Sequence, residues 1–260
     1  MIFLHPSIDP VIFSLGSIEI RWYGLAYVAA FLIGIQLMKR FNNKIQDNIN
    51  TKIIDDFFIW SIIGVIVGGR LGYVIFYQTL IFLNDPFYIF YIWQGGMSFH
   101  GGLIGIITST YFFSKIKKIS FFYLSDLITL VAPIGLFFGR IANFINVELI
   151  GKVTTFPIAV IYPTIDNLPR HPSQLYEAFF EGLILFFILY FFFLKFYNKK
   201  MIGKLSGLFL LFYGLFRFLV EFIREPDANL GLFFNLFSMG QLLSLPLLFF
   251  GFLLLIKKNA

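Results

Sequence analysis

Residues 57–77 read FFIWSIIGVIVGGRLGYVIFY, an unbroken apolar run whose only charge is Arg70. A bilayer core of ~30 Å needs about 20 such residues in a helix, so this stretch is long enough to span. Working outward, comparable runs occupy Ile18 to Met38, Gly95 to Phe113, Phe121 to Phe144, Gln174 to Leu194, Leu205 to Ile223 and Met239 to Ile256. Period-2 alternation is absent, which argues against a membrane barrel. The expectation is an all-α polytopic membrane protein with seven transmembrane helices, forming a single integral membrane domain over residues 1–260. The one sizeable stretch between spans, about residues 145–172, carries Pro157, Pro163, Pro169 and Pro172. It reads as a small extracytoplasmic cap, too short for an independent domain.

Composition agrees with that reading. Side chains are 58% hydrophobic and only 13% charged, against roughly 25% charged in soluble domains, and the mean hydropathy is +0.83. A disordered chain and a nucleic-acid-binding tail are both excluded. With no cysteine, the chain has no disulfide, thiolate metal site or cysteine nucleophile, so any thiol chemistry must use a thiol that the substrate brings. Thirteen of the twenty basic residues follow spans one, three, five and seven, and the positive-inside rule therefore places the amino terminus outside and the carboxyl terminus in the cytoplasm. No basic leader or small-residue cleavage site marks a removable signal peptide, so the first helix is the expected targeting element. Trp22, Tyr23, Tyr88, Tyr91, Trp93 and Tyr162 fall at expected outer ends, where anchoring in the headgroup layer is the simplest role of each except Tyr23.

The other seven cations are Arg21, Arg70, Arg140, Lys152, Arg170, Arg217 and Arg224, six of them arginine, whereas twelve of the thirteen on the cytoplasmic side are lysine. Arginine grips phosphate or carboxylate with a planar fork, so the outer half reads as built for an anion. A mid-helix charge costs at least ~2.5 kcal/mol, which forces Arg217 and Glu221 to face protein or a water-filled cavity. Tyr213, Arg217, Glu221 and Arg224 share one helical face; a buried Arg217–Glu221 pair that only fixes packing remains the alternative. Gln174, Glu177 and Glu181 repeat that helical spacing at the start of span five. His100, set among Gly101, Gly102 and Gly105, is either a base or a satisfied structural group. Gly64, Gly68 and Gly72, with Gly135 and Gly139, recur at four-residue spacing and read as close helix packing. Gly96-Met97-Ser98 is a poor match to a serine-nucleophile turn. His5 and His171 lack partners at metal-ligand spacing. No metal and no soluble cofactor is implied.

The strings Arg21-Trp22-Tyr23-Gly24, His100-Gly101-Gly102-Leu103-Ile104-Gly105, the run from Gly139 to Gly151, Arg170-His171-Pro172-Ser173-Gln174-Leu175-Tyr176-Glu177, and the run from Arg217 to Asp227 together resemble the bacterial prolipoprotein diacylglyceryl transferase family. Their order spans about Ile18 to Leu243, and five strings in order are specific where any one would be weak. Ala142 and Val147 stand where the family usually has glycine. The resemblance implies transfer of a diacylglyceryl group from phosphatidylglycerol to the lipobox cysteine thiol of a prelipoprotein signal peptide, in the bacterial cytoplasmic (inner) membrane, with the site toward the outer half. It also implies a seven-span fold with the amino terminus outside, and membrane lipid rather than nucleic acid as the partner.

On that resemblance, Arg140 and Arg217 are expected at the lipid phosphate, Arg224 and Arg170 as further headgroup contacts, and Glu221 as the group that orients Arg217. Tyr23, Asn143, Asn146 and Gln174 are expected to supply hydrogen bonds, Gly151 and Tyr213 to belong to the site, and His100 or alternatively Glu148 to take the thiol proton. The rival reading, an anion channel or transporter, needs a polar path through to the cytoplasmic side, and the outer crowding of arginines disfavours it.

Overall fold

The computed structural model describes residues 2–16, 18–45, 49–226 and 236–257; Asp227, the last residue of the fifth string, and Lys258 lie outside them. Among the described residues seven long helices follow in order: α1 Trp22–Lys44, α2 Thr51–Tyr77, α3 Phe99–Lys117, α4 Phe121–Ile145, α5 Ser173–Lys195, α6 Lys204–Val220 and α7 Met239–Ile256. Five of these, α1, α2, α4, α5 and α7, are long and apolar enough to cross a membrane, and the chain is a multi-pass, predominantly helical membrane protein. The two others coincide with the expected third and sixth spans. His100, three glycines and four Ser/Thr residues dilute the apolar character of α3. Helix α6 has 17 residues, a rise of about 25 Å against a core of ~30 Å.

Several boundaries differ from expectation for local reasons. Ile18 does not begin a helix, because Ile18–Arg21 forms strand β3 of a hairpin with β2, Val11–Leu15. Phe13 pairs with Ile20, and Ser14 with Glu19, so this short segment does alternate. Gly95 and Gly96 both take positive φ, which delays α3 until Ser98 caps it by accepting from the Gly101 amide. That cap is the place of Ser98 in the structure. Helix α2 starts early at Thr51 because Asn50 accepts from the Lys52 amide.

The chain divides into two compact units, Lys39–Ser125 and Met1–Met38 with Asp126–Ala260. In the smaller, α2 and α3 meet along Gly64, Gly68, Gly101 and Gly105. A methyl group added at Gly68 would strike the Gly101 carbonyl, and one at Gly105 the Gly64 carbonyl. The close-packing reading therefore holds for these glycines. It fails for Gly135 and Gly139, which have nothing within 4 Å of a side-chain position.

In the larger unit, α6 and α7 approach through Gly207, Gly214 and Gly251. Buried Asp126 ties the start of α6 to α4: its carboxylate accepts from the Gly203 amide at 2.6 Å, the Ser206 amide at 2.8 Å, the Ser206 hydroxyl at 2.7 Å and the Tyr197 hydroxyl at 2.8 Å. Two short strands between α4 and α5, β4 Val160–Ile161 and β5 Pro169–Arg170, join β1 Phe3–Leu4 from near the amino terminus in a small sheet of order β1-β4-β5. Tyr162, expected as a surface anchor, is instead fully buried, and its hydroxyl donates to Gln174 at 3.2 Å. His5 is buried too, 3.0 Å from the Phe144 carbonyl and packed on the rings of Phe144 and Tyr162.

Candidate active site

Three helices of the larger unit bring six charges together. Helix α5 presents Glu177 and Glu181, and Gly182 lets it approach α4 where a side chain would collide with Phe137. Residues Ala178–Ile184 form a π-helical stretch, a widened turn that recurs at functional sites, and Glu181 lies within it. Helix α4 supplies Arg140; α6 and the turn after it supply Arg217, Glu221 and Arg224.

Glu177 is the shared member. Its Oε2 lies 2.8 Å from Arg140 Nε, and its Oε1 lies 2.9 Å from Arg217 Nη1 and 3.7 Å from Arg224 Nη1. Glu221 pairs through Oε1 with Arg217 Nη2 and, at 3.6 Å, with Arg224 Nη1, while its Oε2 accepts from Ser238 at 2.6 Å. Glu181 is held less well: Arg140 Nη2 is 3.5 Å away and Arg217 Nη1 3.9 Å, and among the described residues neither carboxylate oxygen has a hydrogen bond. Glu177 and Glu181 are wholly buried, but the Arg140 and Arg217 side chains keep 16% and 14% of their surface exposed. The two arginine side chains are therefore partly reachable and the carboxylates are not. Tyr213, buried one turn before Arg217, lies within electrostatic reach of Arg140, Arg217 and Glu181.

A second network adjoins Arg140, whose Nη1 lies 3.4 Å from Asn143 Oδ1. Asn143 Nδ2 donates to the Tyr23 hydroxyl and to Glu148 Oε2, both at 2.8 Å, and Asn146 Nδ2 donates to Glu148 Oε1 at 3.3 Å. Gln174 Nε2 donates to the Glu148 carbonyl at 2.5 Å, which ties this loop to the start of α5. Val147 and Leu149 take φ of +57° and +56°. Val147 is the position where the family pattern has glycine, and a β-branched residue is strained there.

Gly151 forms an antiparallel bridge with Arg224, and its amide donates to the His171 carbonyl at 3.0 Å, where any side chain would collide. Arg170 acts as a brace: it donates to the Gly151 carbonyl at 3.2 Å, to Asp166 at 2.6 Å and to Glu225 at 3.2 Å. The hydrogen bond from Arg170 holds the Asp166 carboxyl below the ordinary carboxylate range. Partial burial lowers the His171 imidazole.

The structure thus gathers Tyr23, Arg140, Asn143, Asn146, Glu148, Gly151, Arg170, Gln174, Tyr213, Arg217, Glu221 and Arg224 in one unit. His100 belongs to the other. It is the second residue of α3, exposed, with its ring edge-on to Phe99. Arg70 proves to be no anion ligand. Its guanidinium donates to the carbonyls of Tyr88 at 2.7 Å, Ile89 at 3.2 Å and Gly95 at 2.6 Å, and it sits over the Tyr88 ring. Glu177 and Glu181 were given no role from sequence, although their helical spacing with Gln174 was visible. Among the described residues no group of three or more His, Cys, Asp or Glu could hold a metal ion.

Fold and site define a class: a multi-pass membrane protein with a buried ionic cluster inside its helices, the arrangement expected where a charged substrate is handled at membrane depth. The prolipoprotein diacylglyceryl transferase family matches residues 10–257, and the chain belongs to that family. A phosphatidylglycerol–prolipoprotein diacylglyceryl transferase of Vibrio cholerae is 48% identical over 251 residues, 96% of this chain and 92% of that protein. One of the same name from Rickettsia bellii is 50% identical over 254 residues, 98% of this chain and 97% of its own.

Proposed function

We propose that this protein transfers the diacylglyceryl group of phosphatidylglycerol to the lipobox cysteine thiol of prelipoproteins, the first step of lipoprotein maturation. The observation that carries the chemistry is the set of carboxylate-paired arginines, two of which, Arg140 and Arg217, keep part of their side chains exposed beside wholly buried carboxylates. The thiol sulfur bonds to the sp3 glyceryl carbon as that carbon's bond to the phosphate oxygen breaks. The bonding pair leaves with glycerol phosphate, and the thiol proton passes to a base. Charge therefore grows on phosphate oxygens, where preorganised guanidinium donors stabilise it best.

Arg140 and Arg217 are the proposed phosphate ligands, with Glu177 bridging them and Glu221 orienting Arg217. Arg224 and Arg170 border the headgroup, and Gly151 holds the cap strand against Arg224. Tyr23, Asn143, Asn146 and Gln174, linked with Glu148 in a hydrogen-bonded wall beside Arg140, are placed to hydrogen-bond the headgroup or the backbone of the acceptor peptide. The thiol, with an ordinary pKa of about 8.5, needs a base; His100 is the first candidate and Glu148 the alternative.

The lysine-rich gaps support an inner-membrane protein of one integral domain with seven spans, the amino terminus outside, the carboxyl terminus in the cytoplasm, and residues of about 145–172 as an outer cap. The test mixes purified protein, phosphatidylglycerol and a lipobox peptide beside a Cys-to-Ser peptide. A diacylglyceryl mass gain that requires the cysteine is expected. Its absence, with solute movement across liposomes instead, would support the anion-transport reading.

A further inference from the structure

The six-charge cluster is already neutral: Arg140, Arg217 and Arg224 face Glu177, Glu181 and Glu221. A phosphodiester entering it brings a further negative charge into a site whose carboxylates have left water. An uncompensated buried charge is costly, so binding must either displace a carboxylate or neutralise one.

The three acids are not equivalent. Glu177 contacts Arg140 at 2.8 Å and Arg217 at 2.9 Å. Glu221 contacts Arg217 and accepts from Ser238. Either would lose short, charge-assisted contacts on protonation. Among the described residues Glu181 has two long approaches and no hydrogen bond to either oxygen, and it is fully buried. Protonation costs Glu181 least and changes it from a carboxylate that repels phosphate into a hydroxyl donor. Its place in the π-helical turn of α5, between Arg140 and Arg217, sets it beside the groups proposed to hold the phosphate. The groups facing it are Arg140 from α4, Tyr213 and Arg217 from α6, Arg224 beyond α6, and Glu177 on its own helix; none of these offers a less firmly held carboxylate.

We infer that Glu181 takes up one proton when the phosphodiester headgroup binds, so that anionic lipid enters the cluster together with a proton. This rests on the reading of the arginines as the phosphate site. Glu181 is a positioning residue in this account; no bond of the substrate is made or broken on it.

The experiment titrates phosphatidylglycerol into the full-length protein in neutral detergent by calorimetry, in two buffers of different ionisation enthalpy, from pH 6 to 8.5. For the wild type, linkage predicts uptake of about one proton per lipid and an affinity that falls as much as about tenfold per pH unit toward the alkaline end. Glu181→Gln should bind with little proton uptake and an affinity varying by less than about twofold across that range. Zero uptake by the wild type overturns the proposal even where the variant does not fold, and so does a Gln variant that keeps the wild-type slope. The same preparations are given lipobox peptide. Proton-linked lipid binding without any peptide product would count against the transferase reading alone, whereas product formation without proton linkage would count against Glu181 alone.

Discussion

Arg70 and Arg217 both lie within long helices, yet they occupy opposite kinds of surroundings. Arg70, 3% exposed, spends its fork on main-chain carbonyls of residues 88–96 and on an aromatic face. Every donor direction it uses is answered by a neutral, fixed acceptor, and its charge closes a loop. Arg217 meets two carboxylates at contact distance and a third farther off, and keeps part of its side chain exposed. A buried cation paired with carbonyls holds the backbone; one paired with shared carboxylates and left partly open can exchange partners with an incoming anion. The lesson is that burial of an arginine does not mark a site, whereas the nature of its partners does.

That contrast can be broken in graded steps. Glu177→Ala removes the one carboxylate shared by Arg140 and Arg217 and leaves buried cations under-compensated. A loss of about 3–5 kcal/mol in stability is expected, read as a lowered denaturation midpoint in detergent. Arg70→Gln should cost about 2–3 kcal/mol through orphaned carbonyls, while transfer per folded molecule stays near wild type. Asp126→Asn weakens four hydrogen bonds that seat α6 on α4, with an expected cost of about 1–3 kcal/mol by the same measurement.

A gain is expected from Val147→Gly. It removes a β-branched residue from φ +57° and should stabilise by up to about 1 kcal/mol, because relief of strain outweighs the added freedom of the unfolded chain. The smallest effect concerns acid. Arg170 lowers the folded-state pKa of Asp166, so this pair's contribution is complete above the ordinary Asp value of about 3.9 and is lost as pH falls through the lower folded value. Proteolytic resistance of residues 146–172 should therefore hold from pH 7 to about 5 and decline only below about 4.

How far the sequence was legible follows from which partners a sequence can display. Helix α7 begins and ends where its apolar run does, and α4 and α5 agree within a residue, because long uninterrupted runs leave hydrogen-bonded helix as the only answer in lipid. The start of α1 was misread, since four residues, Ile18–Arg21, are too few for their alternation to stand out beside a 23-residue apolar helix. Gly68 and Gly135 look alike in the chain, but only Gly68 faces another backbone. The role of Arg70 was not legible among the outer arginines because its acceptors are carbonyls, which every residue owns. The acids of α5 were visible by spacing, but that Glu177 joins Arg140 to Arg217 depends on three helices meeting. The pattern around Tyr23, Asn143 and Glu148 was available only through the family's strings, and the structure links those residues in one hydrogen-bonded chain.

The proposed division of labour is that carboxylate-paired arginines carry the reaction and the carbonyl-paired arginine carries the fold. It is tested most directly by following glycerol phosphate release with phosphorus NMR for wild type, Arg217→Ala and Arg70→Gln, each normalised to folded protein. Release by the wild type and the Arg70 variant at rates within about twofold is expected, with a loss of more than about 100-fold for Arg217→Ala, as for removal of a principal charge-stabilising donor. Release by folded Arg217→Ala at the wild-type rate would contradict it.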